Sequence, residues 1–456
     1  MKQAPSRFRS RPTPLPSTPL PCSTMFHVKH ACPVSSHAAG SDREPIDEKT
    51  LFEKAGRLIN NRAARFYRFF LPRRGTSVSQ SNTSSHVPES PLSILFIMDH
   101  LDTGGAPIVV RNLIKEMSAQ GVRVTLLLLS SRPRHELPDD VLTIDVPFAP
   151  TSLYQRLRRY HLHAKKIEAT LESAPVRERG PFDLVMAHLH HAHQVVSRTS
   201  LAQTSWYCLH SDPVSAFLGN KRGLARRIKK YKVKRLYHGR KLVTVSKEML
   251  NRLSAHFGIH PEKGVSILNP LDIEHIRQLA HQSVSDIADD EFLVFVGRLD
   301  LRAKRFDRLL EAYRQSGTEL PLLIIGGGSS SEQVARLIRD MGLEDRVRML
   351  GHRDNPYPYM ARSRALLLSS DYEGFALVLA EALSLGVPVI STNCPCGPAE
   401  ILGNSLKDCL VPVDDTAAFA RAISRVIAAP PAIPHDICDN FQLATVARRY
   451  TSLTQA

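Results

Sequence analysis

From residue 92 onward, short apolar runs alternate with longer stretches in which apolar residues recur at helical spacing. Residues 93–98 (SILFIM) read as a buried strand, 104–105 as a glycine loop, 106–120 as a helix and 122–129 as the next strand. Further strands are expected at 183–187, 205–209 and 241–245. A second cycle has strands at 292–296, 322–325, 365–368 and 387–390, with helices at 306–315, 332–341 and 376–385. Strands alternating with helices predict parallel sheets covered on both faces. Two such doubly wound domains, 92–275 and 288–430, would enclose a cleft between the carboxyl ends of their strands, where open α/β sheets bind ligands. Residues 431–456 are expected to form a helix that returns towards the first domain.

The first 91 residues follow another pattern. Pro5, Pro12, Pro14, Pro16, Pro19 and Pro21 interrupt a Ser-, Thr- and Arg-rich stretch without hydrophobic periodicity, which predicts disorder. Between residues 46 and 71, Leu51, Phe52, Ala55, Leu58, Ile59, Phe66, Phe69 and Phe70 recur at helical spacing among Lys54, Arg57, Arg62, Arg65 and Arg68. A basic amphipathic helix of this kind suits either an anionic membrane interface or docking on the protein body. Residues 72–90 read as a Ser-rich linker. Met25 to His30 (MFHVKH) can be encoded by ATG TTT CAC GTG AAA CAT, which is its own reverse complement and resembles the centromere-like site of bacterial partition proteins. Its presence suggests translated upstream DNA and a true start further on.

Charge sharpens the division. The net charge is +16, yet residues 1–91 carry +8 and residues 221–241 carry +11, with no acidic residue in the latter, so the remainder is slightly negative. Basic residues confined to two segments favour an anionic membrane surface over a nucleic-acid reading face. No apolar run is long enough to span a membrane as a helix. The expected location is the cytoplasm, with peripheral attachment to the inner face of the cytoplasmic membrane. Seven cysteines at irregular spacing fit neither a disulfide framework nor a structural zinc site, and they suggest a reducing compartment.

Candidate chemistry gathers where strands end. Gly326-Gly327-Gly328 follows a strand and lets backbone approach a phosphate or ribose, but it lacks the GxGxxG pattern of nicotinamide-binding loops. Arg298 and Lys304, after another strand, could clamp a diphosphate, Arg as a fork and Lys as a point charge. Glu373 and Glu381 form a Glu-x7-Glu pair. Glu381, in apolar helical company, needs a partner such as a pair of ribose hydroxyls. Four histidines, His188, His190, His191 and His193, could suggest metal, but the spacing and the lack of nearby carboxylates favour lining of the cleft.

The Glu-x7-Glu helix, the Gly-Arg…Lys loop, Gly104-Gly105 and residues 393–402 (NCPCGPAEIL), in this order, resemble a retaining GT-B-fold glycosyltransferase of family 4 over roughly residues 92–430. The resemblance implies that Arg298 and Lys304 bind the donor diphosphate, Glu381 the ribose and Glu373 the donor sugar. Gly104 and Gly105 would admit the phosphates, with Gly326, Gly327, Gly374, Phe375 and Ala376 completing the donor site. It further implies His210, after a strand of the first domain, near the transferred sugar, and neither metal nor cofactor beyond the donor. The sequence departs from the family in Asn269-Pro270, where Asn-Gly is common, and in a Lys304 one residue further from Arg298, which leaves Arg302 and Arg305 as rivals. The expected donor is a UDP-sugar and the expected acceptor a saccharide or lipid-linked molecule of lipopolysaccharide or polysaccharide assembly. A nucleotide-sugar 2-epimerase and a basic nucleic-acid-binding protein are the alternative readings.

Peptide mass mapping of the native N-terminus is expected to find no peptide from residues 2–29; a native peptide covering them overturns the upstream-start reading.

Overall fold

The computed structural model describes residues 91–456 except Thr103, residues 132–135, Ala288 and Asp290. The N-terminal features expected from the sequence, including the amphipathic helix at 46–71, lie outside the described residues.

The first sheet has seven parallel strands: β1 (Ser93–Met98), β2 (Arg123–Leu128), β3 (Leu142–Asp145), β4 (Leu184–His188), β5 (Trp206–Leu209), β6 (Lys241–Thr244) and β7 (Lys263–Ser266), in the order β3-β2-β1-β4-β5-β6-β7. β1 is central and wholly buried. Its alternate side chains enter two apolar cores: Leu95 and Ile97 on one face, Ile94, Phe96 and Met98 on the other. The helix Leu443–Thr451 covers the second face, with Val446, Ala447 and Tyr450 buried in the same core as Ile94 and Phe96. The chain reaches that face by returning beside Leu271, whose N–H donates to the Phe441 carbonyl at 2.7 Å.

The second sheet contains β8 (Leu293–Val296), β9 (Leu322–Ile325), β10 (Val347–Gly351), β11 (Ala365–Leu368), β12 (Val389–Thr392) and β13 (Leu410–Val411), again parallel, in the order β10-β9-β8-β11-β12-β13. In both sheets the order reverses beside the first strand, between β1 and β4 and between β8 and β11. The crevice at such a reversal is the usual ligand site of an open α/β sheet. His188 and His210 stand at the ends of β4 and β5, Gly297-Arg298 at the end of β8, and Glu373 in the loop after β11.

The triple glycine after β9 has a structural use that the sequence did not disclose. Gly326 has φ +142°, and a Cβ built there would lie 1.9 Å from the Gly297 carbonyl oxygen. Its side-chain-free backbone thus seats the turn that carries Arg298, rather than only leaving room for a ligand. Gly326→Ala is expected to cost about 2–4 kcal/mol, since both the backbone angle and the contact must yield. Urea unfolding measures this, and a loss under about 0.5 kcal/mol, the range of a neutral surface change, would contradict it.

Candidate functional site

The loop after β11 and the end of β5 meet without intervening side chains. A Cβ on Gly374 would lie 2.1 Å from the His210 carbonyl oxygen, so Gly374 is where the second sheet's loop rests on the first sheet's strand end. Glu373, immediately before it, accepts from Lys304 Nζ at 2.6 Å and from Ser370 Oγ at 2.6 Å, with both members of the ion pair largely shielded from water. Ser370 is a contributor that sequence reasoning missed, since a serine after a strand carries no distinctive signal.

Side-chain direction separates Lys304, Arg302 and Arg305. Arg302 donates to Asn220 Oδ1, and Arg305 pairs with Asp307 at 2.8 Å and Asp371 at 3.1 Å. Lys304 alone of these reaches Glu373. Arg298 stands differently: its side chain is 74% exposed and pairs with Asp300 at 3.5 Å, a long surface contact.

The helix Leu377–Ser384 begins three residues beyond Gly374, after Ala376 in a left-handed conformation (φ 60°). The sequence expectation of a helix over 376–385 agrees with this to within one residue at each end. Phe375 is buried and its ring meets Phe441 edge-on at 5.5 Å, so its side chain serves packing and only its backbone remains near the cleft. Glu381 lies within this helix, with Tyr357 Oη donating to Oε1 over a long 3.4 Å. Burial pushes the Glu381 carboxyl up to about 7, and the tyrosine only partly offsets this. Tyr357 was not foreseen; it follows β10 in an Asn-Pro-Tyr turn that reads as ordinary loop. Opposite, the helix Gly105–Ala119 starts at the glycine loop, and a Cβ on Gly105 would sit 3.5 Å from Leu377 Cδ1. Two helix N-termini therefore converge, each with unpaired N–H groups suited to an anion.

His210 and His188 are paired ring to ring, Nε2 to Nδ1 at 2.9 Å. Burial lowers the His210 pKa to about 4 and drives that of His188 well down, aided there by His210, so both are neutral near pH 7. The other histidines mostly do not line the cleft. His193 pairs with Tyr237 Oη and the Ala187 carbonyl, each at 2.9 Å, and His191 pairs with His163 at 3.1 Å. Asp99 fixes their helix by accepting from the N–H groups of His191 and Ala192 at 3.1 and 2.5 Å. Among the described residues no group of three metal-ligating side chains is placed to hold a metal.

The loop Asn393-Cys-Pro-Cys-Gly397 makes further contact between the sheets. Glu400 accepts from the backbone N–H of Lys247 at 2.9 Å and of Glu248 at 3.2 Å, at the start of the helix Lys247–Phe257. Cys396 Sγ approaches Asp212 Oδ1 at 3.9 Å. Burial works to raise the Asp212 carboxyl, but hydrogen bonds from Arg252 and Ser215 outweigh it and hold it below its ordinary value. Burial pushes the Cys396 thiol up to about 12, which fits a packing role for the cysteine pair.

The sequence model of Glycosyltransferase Family 4 matches residues 103–275, and that of Glycosyl transferases group 1 matches residues 277–440. The chain belongs to the group 1, family 4 glycosyltransferases of the GT-B fold. It is 35% identical over 183 residues to a Campylobacter jejuni N-acetylgalactosamine-N,N'-diacetylbacillosaminyl-diphospho-undecaprenol 4-alpha-N-acetylgalactosaminyltransferase, covering 40% of this chain and 49% of the relative. It is 32% identical over 148 residues to an Escherichia coli lipopolysaccharide 1,6-galactosyltransferase, covering 31% of this chain and 41% of the relative. The matched stretches thus span less than half of these relatives. The Anabaena protein HepE, solved in complex with UDP and glucose, shares the fold with a TM-score of 0.62 at 18% identity, over 80% of this chain and 99% of HepE.

In this glycosyltransferase the raised Glu381 carboxyl has a thermodynamic consequence. Because its folded value, about 7, exceeds the ordinary 4.5, the folded protein holds this proton more tightly than the unfolded chain. The site costs no stability below about pH 4.5, costs progressively more up to about pH 7, and stays at its full cost above that. Glu381→Gln is therefore expected to stabilise the protein by up to about 3 kcal/mol at about pH 8 and by about 1 kcal/mol or less at about pH 5. Urea unfolding at the two pH values checks this, and a pH-independent difference contradicts it.

Proposed function

We propose that the protein transfers a hexose from a nucleotide diphosphate sugar, a UDP-sugar, to a saccharide or lipid-linked acceptor in lipopolysaccharide or polysaccharide assembly, with retention at the anomeric carbon. The observation that carries this reading is the seating of Gly374 on the His210 carbonyl beside the Lys304–Glu373 pair. It brings the donor-side cation and carboxylate to the strand end that holds the paired histidines. The relatives' own names, a diphospho-undecaprenol-dependent transferase and a lipopolysaccharide galactosyltransferase, support the acceptor class. HepE's UDP and glucose support the donor class.

In the transfer, the bond from the anomeric carbon to the diphosphate oxygen breaks as the acceptor oxygen bonds to the same face of that carbon. The acceptor's proton passes to the departing phosphate oxygen. Lys304 and the exposed Arg298 neutralise the negative charge that develops there, aided by the two converging helix N-termini. A bound diphosphate competes with Glu373 for Lys304, which releases Glu373 to accept from hydroxyls of the donor sugar. Glu381, once ionised, accepts from the ribose hydroxyls. Neutral His210 can hydrogen-bond the transferred sugar without adding charge. The protein's own cations supply the electrostatics of the step, and the donor enters as co-substrate. Peripheral attachment to the cytoplasmic membrane, through the basic helix Gly223–Tyr237, completes the reading; among the described residues no helix is long and apolar enough to cross a membrane.

A panel of UDP- and GDP-sugars offered to the full chain with lipopolysaccharide-core and lipid-linked acceptors is expected to give acceptor-dependent turnover with UDP-sugars and an α-product from an α-donor by NMR. Glu381→Ala should lower kcat/KM about 10- to 100-fold, the worth of hydrogen bonds to a charged group. No turnover, or undiminished activity in the variant, overturns the assignment. Acceptor-independent release of free nucleotide favours epimerisation.

A further inference from the structure

The first N–H groups of an α-helix have no partner within it. At the start of the helix Lys247–Phe257, in the first domain, the chain's own Ser246 serves one of them, accepting from the Met249 N–H at 3.3 Å. The N–H groups of Lys247 and Glu248 donate instead to Glu400 Oε2 and Oε1, at 2.9 and 3.2 Å. Each oxygen of one carboxylate thus takes one N–H, and its charge faces the positive end of the helix dipole. Glu400 belongs to the second domain, in the short helix Pro398–Leu402 that follows β12. The second domain therefore completes a helix cap of the first.

Both sides of this contact lead to the proposed transfer site. On the first-domain side, Arg252 lies in the capped helix and its Nε donates to Asp212 Oδ1 at 2.6 Å. Asp212 is buried, two residues beyond His210, and also accepts from the Ser215 N–H at 2.8 Å. A shift of the helix thus pulls on the segment that carries His210. On the second-domain side, Glu400 is three residues beyond Gly397, where a built Cβ would lie 2.5 Å from the Phe375 carbonyl oxygen. The same loop supplies the Pro395 carbonyl to the Glu373 N–H at 3.4 Å. Between them Cys396 stands at φ 68°, a left-handed conformation that residues with side chains seldom adopt, and its Sγ lies 3.9 Å from Asp212 Oδ1. Such a turn persists only where its surroundings fix it.

The junction is also separable. A cavity of about 430 Å³ lies between its two sides, with Lys247, Glu248 and Asn251 of the first domain and Asn393, Cys394 and Glu400 of the second in its wall. The domains meet here through directional polar contacts around a gap. Water replaces such hydrogen bonds at small net cost, whereas parting two packed apolar faces exposes them. Interfaces of this kind within one chain permit relative motion.

We propose that Glu400 is a positioning residue: by capping the helix Lys247–Phe257 it registers the loop that holds Glu373 against the segment that holds His210, so the two halves of the transfer site align only while the cap is made. The inference rests on the proposed function for the roles of Glu373 and His210. Under that reading the nucleotide's own partners, Arg298, Lys304 and Glu381, all lie in the second domain, and nucleotide binding needs no such registration.

The test uses the full chain. Glu400→Ala removes the cap, Glu400→Gln keeps an accepting oxygen without the charge, and Lys247→Pro removes one N–H from the other side. Proline suits that place, the first position of a helix after an extended Ser246 (φ −153°, ψ 151°), so the helix itself is kept. Circular dichroism checks folding, and if Glu400→Ala does not fold, Glu400→Gln and Lys247→Pro carry the comparison. Glu400→Ala is expected to lower kcat for sugar transfer about tenfold or more, the scale on which misplaced reacting groups lose rate, with the Kd for UDP by calorimetry within about twofold of wild type. Glu400→Gln and Lys247→Pro should fall between. Glu400→Ala/Lys247→Pro should be no worse than Glu400→Ala alone, because the contact is already lost. An undiminished kcat, a UDP affinity that falls in step with kcat, or additive losses in the double variant overturn the proposal.

Hydrogen exchange read by mass spectrometry tests the coupling without turnover. In Glu400→Ala, exchange should quicken in peptides covering residues 247–250 and also in those covering residues 371–376. Acceleration confined to 247–250 marks a local cap only and overturns the coupling. A wild type that turns over no nucleotide sugar defeats the transferase reading, while the exchange results still decide whether this junction registers the two domains.

Discussion

The site depends on backbone meeting backbone where two sheets end. Gly374 against the His210 carbonyl and Gly326 against the Gly297 carbonyl are contacts that a single methyl group would prevent. Each brings a loop with a functional side chain to within reach of another: Glu373 towards the paired histidines, Arg298 towards the loop after β9. Charged groups attract over several ångströms, but their energies depend steeply on distance and on the exclusion of water. The Lys304–Glu373 pair is short and shielded because the loops around it are seated this closely.

Around the proposed donor site the charges form a set of competing pairs. Lys304 is satisfied by Glu373, and Arg305 by Asp307 and Asp371, so neither cation waits unpaired in a partly buried place. Arg298, by contrast, stands in water with only a long contact to Asp300, which costs it little. Glu381 is the expensive member: burial raises its pKa to about 7, and Tyr357 at 3.4 Å gives weak relief. A buried carboxylate with one weak partner is held at a cost, and under the proposed function donor hydroxyls are what would offset it.

Much of this was legible in the sequence, for a physical reason. Buried parallel strands are nearly continuous apolar runs, so SILFIM, LLII and ALLL announce β1, β9 and β11 within a residue or two. Glu381 stood out as a candidate because a carboxylate in apolar helical company demands a partner, and Glu373 and Lys304 because they follow strands in the order that the family's motifs take. Partners supplied by folding were not. Tyr357 and the Glu400 contact with Lys247 and Glu248 join positions 24, 153 and 152 residues apart through geometry that no local pattern encodes. The histidine run misled in the opposite sense. Four histidines close in sequence point in different directions from β4 and its following helix, and two of them are spent on packing contacts.

Net charge has a similar lesson in it. A value of +16 invites a picture of a uniformly basic surface, yet residues 221–241 hold +11 of it, folded mainly into one fifteen-residue helix. Concentrated charge costs folding free energy through self-repulsion, and a fold that only needed solubility would disperse it. Here the charge is also directed: part faces a cavity with no carboxylate and part flanks an exposed apolar stripe. Repulsion within the cavity is the counterpart of the burial cost at Glu381. Each is an unfavourable term that the fold carries, one from like charges brought together and one from a carboxyl taken out of water.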